Sequence, residues 1–149
     1  MKAMWLGAAV VALGLTAAGA AGLDPVLNDP IVSWRDDPSV KDCKNADTTF
    51  AMNVCAGRDA KKTYMEMVTL YNQLYAKYDA PNRKLLQASQ RAWHAFADAE
   101  CAYENNLTTG GTIHSTMLTN CTGALAAERV KQLKAQANCA EGDLSCNHP

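Results

Sequence analysis

The chain has 149 residues, with 14 Lys and Arg against 15 Asp and Glu and a formal charge of -1, which is enough for one ordinary domain and not for two. It has no block of like charges and no basic amphipathic stretch, so nucleic acid and membrane-surface binding have no support.

At the N-terminus, Lys2 is followed by an unbroken apolar stretch from Met4 to Leu15 and by the small-residue run Thr16 to Gly22. This is the layout of a secretory signal peptide. Ala18-Gly19-Ala20 fits cleavage before Ala21, which assigns residues 1–20 to the signal, and a cut one residue later reads nearly as well. An uncleaved anchor is the alternative, since the apolar stretch through Leu23 approaches the roughly 20 residues that span a bilayer. Its second half is Ala and Gly rather than Leu and Ile, which favours the signal. No cysteine follows until Cys43, so a thiol for lipid attachment at the cleavage site is missing. The mature protein is expected to be periplasmic or secreted, free of the membrane once the signal is removed. Losing Lys2 takes its formal charge from -1 to -2.

Residues 21–42 carry Pro25, Pro30 and Pro38 among Asp and Asn and read as an extended arm, with Trp34 expected to tuck against the domain. From Asp47 the period becomes helical. Tyr64, Met67, Val68, Tyr71, Leu74, Tyr75 and Tyr78 recur at three- and four-residue steps on one face of a long helix. Asp47 or Thr48 can cap its start, Gly57 can bend it and Pro81 stops it near Asp79. The tyrosine stripe reads as core rather than a ligand cage. A second helix after Pro81 carries Leu85, Leu86, Ser89, Trp93, Phe96, Glu100 and Tyr103, and ends in the breaker-rich run from Asn105 to Gly111. A third shows Leu118, Cys121, Leu125, Arg129 and Leu133 in register and fades near Asn138. Short connections make helices pack antiparallel, so the expected fold is all-α, a small antiparallel bundle.

Cys43, Cys55, Cys101, Cys121, Cys139 and Cys146 form an even set in an exported chain and read as three disulfides. Zinc is the alternative, but closely spaced ligand pairs are missing, and Cys139, Cys146 and His148 are the nearest approach; no metal or cofactor is expected. Fifteen pairings are open to six cysteines. Local logic selects Cys43–Cys55 to fold the arm onto the first helix, Cys101–Cys121 to close the hairpin around the Gly-Gly loop, and Cys139–Cys146 to staple the tail. In the chain-entropy treatment each contributes roughly 2.5 to 3.5 kcal/mol.

Cys43 with Cys55, Tyr71-Asn72-Gln73-Leu74-Tyr75, Gln90-Arg91-Ala92-Trp93, Asp98-Ala99-Glu100-Cys101, Gly110-Gly111-Thr112, Cys121 and Glu128-Arg129 together resemble the LprI-type lysozyme-inhibitor domain. The likeness runs from about Cys43 to Leu133 and places the domain in residues 43–149, with the Cys139–Cys146 tail as an addition. Ala97 stands where the family commonly has Arg, and the founding member's lipoprotein cysteine is missing. The resemblance implies an exported helical protein that interferes with lysozyme, so the implied partner is a protein, a lysozyme-type wall hydrolase.

With every thiol oxidised no cysteine nucleophile remains, and no Ser motif stands beside a base, so catalytic residues are not expected. His94 and Asp98, four apart on one helix, can form a dyad but read as a helix-face contact. His114 reads as a helix-start residue. Asn106-Leu107-Thr108 and Asn120-Cys121-Thr122 match a glycosylation pattern without further support. Three functions follow in order: an inhibitor of a wall-degrading enzyme, a structural or assembly module of the envelope with no enzyme target, and a hydrolase using Asp98 and Glu100. Two site expectations accompany them. Arg129 on a packing face needs a partner, and Glu100 is the expected one. The contact loop is expected between Asn105 and His114, with Thr108, Thr109, Gly110, Gly111 and Thr112 presenting polar groups.

Overall fold

The computed structural model describes residues 36–147. The signal peptide, Trp34, most of the arm and His148 lie outside the described residues. Within them the chain forms α1 (Thr49–Lys77), α2 (Ala80–Glu104) and α3 (His114–Ala137), with a short 3-10 turn at Asn106–Thr108 before α3. No strand occurs among the described residues.

Local chemistry sets the boundaries. Thr48 caps α1 by accepting the Ala51 N–H at 3.1 Å, satisfying one of the donors a helix start leaves open. Gly57 lies buried inside α1, which continues through it without interruption. Asp79 caps α2 by accepting from Asn82 N–H at 2.9 Å, and Pro81 falls in the first turn, where its missing N–H costs nothing. At the same corner the Arg83 side chain donates to the Tyr75 carbonyl at 2.8 Å and lies 5.1 Å from the Tyr75 ring centre, closing the C-terminus of α1.

Contacts between helices give their directions. Asn53 meets Ser115 and Thr116, Ala60 meets Gly123, and Glu66 pairs with Lys134 at 2.6 Å, so α1 and α3 run parallel. Gln90 meets Met67 and Arg129, while Cys101 is bonded to Cys121, so α2 runs antiparallel to both. The bundle is therefore up, down and up. α1 and α3 make the closest approach, because the seam uses small residues: a Cβ added to Gly123 would lie 3.2 Å from the Ala60 Cβ.

The α1 stripe is the core. Tyr64, Met67, Val68, Tyr71, Leu74 and Tyr78 are buried with Leu86, Val130 and Leu133, and Tyr75 and Trp93 pack at the edge. These come from the C-terminal half of α1 with its cap residue Tyr78, from the N-terminal half and middle of α2, and from the C-terminal half of α3. The opposite end of α1 buries Val54, Cys55, Ala56, Gly57 and Ala60 instead.

The expected face of α2 is corrected. Leu85, Phe96 and Tyr103 are exposed, at 61%, 51% and 79%, while Leu86, Gln90, His94, Ala97 and Cys101 form the buried side. The stripe of α3 is likewise rotated: Thr116, Thr122, Ala126, Val130 and Leu133 are buried, and Leu118, Cys121, Leu125 and Arg129 sit half-buried at its edge. The reason is that α3 turns small residues to α1 and its longer side chains toward α2.

Candidate partner-binding end and the polar bridge

The disulfides are Cys43–Cys55, Cys101–Cys121 and Cys139–Cys146, with Cα atoms 5.5, 5.7 and 6.1 Å apart. No free cysteine remains among the described residues. The first two gather at one end of the bundle, together with the α2–α3 loop and the last part of the arm. Arg58 on α1 holds that arm: Nε donates to Asp36 at 2.8 Å, Nη1 to the Val40 carbonyl at 2.7 Å and Nη2 to the Asp37 carbonyl at 2.9 Å. The sequence reading missed Arg58, since a single Arg on a helix face carries no pattern of its own.

The loop is built from consecutive turns. The Asn105 side chain, buried, donates to the Cys101 carbonyl at 2.9 Å and ends α2. Backbone bonds then run from Thr108 N–H to Asn105, Thr109 N–H to Asn106, Gly111 N–H to Thr108 and His114 N–H to Gly111, all between 2.9 and 3.1 Å. Thr108 Oγ1 lies 2.8 Å from both the Asn105 carbonyl and His114 Nδ1. A hydroxyl that donates to the carbonyl and accepts from an Nδ1–H satisfies both contacts. Gly110 has φ +80°, a conformation in which any Cβ is strained. Beyond Asn105 and Thr108 the loop faces water: Leu107 is 99% exposed, and Thr109, Gly110, Gly111 and Thr112 are exposed. Phe50, Tyr103 and Met117, at the helix termini of this end, are exposed as well. His114 is the first residue of α3.

Across the middle of the molecule runs a polar bridge. Gln90, fully buried, places Nε2 3.3 Å from His94 Nε2 and 3.5 Å from the Met67 sulfur, and its Oε1 accepts from Arg129 Nε at 3.2 Å. Arg129 Nη1 donates to Gln132 at 2.9 Å and Nη2 to Ser89 at 2.9 Å. The expected Glu100–Arg129 pair is not formed: among the described residues Arg129 meets only these neutral acceptors. Register is the reason. Cys121 faces Cys101, and Arg129 lies eight residues beyond Cys121, about 12 Å along α3. On antiparallel α2 that level is Trp93, about two turns from Glu100, and the long Arg129 side chain reaches on from there to Ser89 and Gln90. Burial pushes the Arg129 guanidinium down from its ordinary value, though an arginine at this level of exposure keeps its charge at neutral pH. The His94–Asp98 dyad also falls away, because His94 is buried against Tyr64 and Gln90 while Asp98 is exposed.

Residues 40–133 match the family described as lysozyme inhibitor LprI. The chain belongs to that family. The LprI-type region thus takes in both inter-element disulfides, the loop and the polar bridge, and stops before the Cys139–Cys146 staple. A relative from Rhizobium meliloti (strain 1021), described as uncharacterized protein R02472, is 25% identical over 113 residues, covering 67% of this chain and 81% of its own. No solved structure matches. Among the described residues, no helix is long and apolar enough to cross a membrane.

Proposed function

We propose that the protein is exported, is released from its signal peptide, and binds a lysozyme-type wall hydrolase through the loop from Asn105 to His114, blocking access to its cleft. The observation that carries this reading is the loop's pre-ordering. Four consecutive backbone bonds, the Thr108–His114 contact and the Cys101–Cys121 bond hold it before any partner arrives, so little conformational entropy is lost on binding. Leu107 at its tip offers an apolar anchor, and Thr109 and Thr112 offer hydroxyls to groups that otherwise hold sugar. Membership of a family described as lysozyme inhibitors supports a lysozyme-type target. A modest charge of -2 after loss of Lys2 from -1 means that shape, more than long-range attraction, drives the contact.

The test is turbidimetric. Mature protein is titrated against several lysozyme types during lysis of wall substrate, beside a variant whose Thr109 to Thr112 segment is replaced by an unrelated segment of equal length. The wild type slows lysis and the replacement, with its disulfides intact, does not. Full inhibition by the replacement removes the loop from the mechanism. If neither protein slows any lysozyme, the reading as an envelope module without an enzyme target takes its place.

A further inference from the structure

At the end of the bundle opposite the loop, a cleft of about 530 Å³ opens between α2, α3 and the C-terminal tail. Its walls combine apolar side chains, Leu74, Leu85, Leu86 and Leu133, with Ser89, Arg129 and Gln132. The tail forms one wall because it folds back on α3: Gln136 donates to the Ser145 carbonyl at 3.3 Å and accepts from Asn147 N–H at 3.2 Å. The volume lies within the range of pockets that hold small organic ligands.

Among the described residues that line this cleft, Arg129 carries the charge. Among the described residues no carboxylate pairs with it, and three neutral oxygens accept from it. Three of the five guanidinium N–H groups are used in this way, which leaves two for a ligand. A half-buried guanidinium surrounded by neutral acceptors gains from an anion that completes its fork, and a carboxylate matches that geometry. Next to it Leu86 and Leu133 are buried while Leu85 is 61% exposed at the rim, so apolar surface continues outward from the charge.

We infer that this cleft binds a small amphipathic carboxylate, with Arg129 taking the carboxylate and Leu85, Leu86 and Leu133 the apolar body. Such a ligand replaces water on both the charged and the apolar part of the cleft, whereas an inorganic anion satisfies only the first and a neutral chain only the second. The site is separate from the loop and does not depend on the protein binding a hydrolase.

The experiment is a titration of isotope-labelled mature protein with acetate, hexanoate and hexanamide, read by backbone amide signals and by the Arg129 Nε–Hε signal. Hexanoate shifts Arg129 and the amides of Ser89, Leu85 and Gln132 saturably. Acetate and hexanamide each bind at least tenfold more weakly. Leu85→Glu, which puts a negative charge at an exposed rim position and leaves the core alone, weakens hexanoate at least tenfold, as does Arg129→Gln with its helix content and melting checked beside it. Removing His148 and Pro149 leaves the affinity unchanged. Equal binding of hexanamide and hexanoate, insensitivity to Leu85→Glu, or shifts that never saturate overturn the proposal. So does binding that arises only when the last two residues are removed, since the cleft would then belong to the chain's own tail.

Discussion

The two ends of the bundle are held together by different means. At the cleft end, Tyr71, Met67, Leu74, Leu86 and Leu133 fill a core of large side chains, and the disulfide there, Cys139–Cys146, ties only the tail to itself. At the loop end the buried residues of α1 are Val54, Cys55, Ala56, Gly57 and Ala60, which remove little apolar surface from water, and two disulfides tie separate elements together. Small residues let α1 and α3 approach closely but contribute less burial energy per position. Covalent bonds compensate by restricting the unfolded chain. The difference teaches that an end carrying an exposed loop can be made rigid without a large core, provided its elements are bonded to one another.

The largest effect expected from breaking this arrangement is at the large core. Tyr71, 1% exposed, replaced by Ala leaves a cavity and costs about 4 kcal/mol, measured by denaturant unfolding, with both ends lost together. Next comes the loop end. Replacing Cys101 and Cys121 by Ala costs about 3 kcal/mol, and amide exchange accelerates first between Asn105 and Ile113 while the amides around Tyr71 stay protected relative to the new global limit. Uniform acceleration across the molecule would erase the contrast between the ends.

Smaller effects sharpen the comparison. Gln90→Leu removes the acceptor of Arg129 Nε and one partner of His94; stability falls by about 2 kcal/mol, the cost of weakening a buried polar network. Arg58→Ala lowers the free energy of local opening of the arm by about 1 kcal/mol, with exchange increasing over Asp36 to Val40 and the melting curve little moved. The smallest effect is with pH. Asp42 is held below its ordinary value of 3.8 by the Asn45 side chain and the Lys44 N–H, and Asp37 by the Ser39 side chain and N–H. Both are depressed, so their contribution is complete above 3.8 and is lost as the pH falls through the lower folded values. Carboxyl titration by NMR should find both below the ordinary aspartate, with the arm signals changing only in that acid window.

How much of this was legible depends on which residue defined each face. In α1 the buried stripe is apolar and aromatic throughout, so periodicity alone located it. In α2 the inner face includes Gln90 and His94 while Phe96 and Tyr103 point outward, and a rule that sends apolar residues inward picked a face displaced by about one residue. The cysteines carried the missing signal. Once Cys101 is bonded to Cys121 it must face α3, and Ala97, His94, Gln90 and Leu86 follow from it at steps of three and four. The same bond fixes the register, which puts Arg129 about two turns from Glu100 and within side-chain reach of Ser89 and Gln90. The loop's position was readable from Asn105 to Gly111, whereas its internal bonds were not, because Thr108 and His114 meet only through the local turn geometry.

The loop end is the proposed binding surface. Isotope-labelled mature protein mixed with an equimolar lysozyme-type hydrolase, followed by amide signals, tests it most directly. Signals from Asn105 to His114, with Tyr103, are expected to shift or broaden while those of Ser89, Arg129 and Gln132 stay in place. Changes centred on the cleft, or none with any lysozyme type, would contradict it.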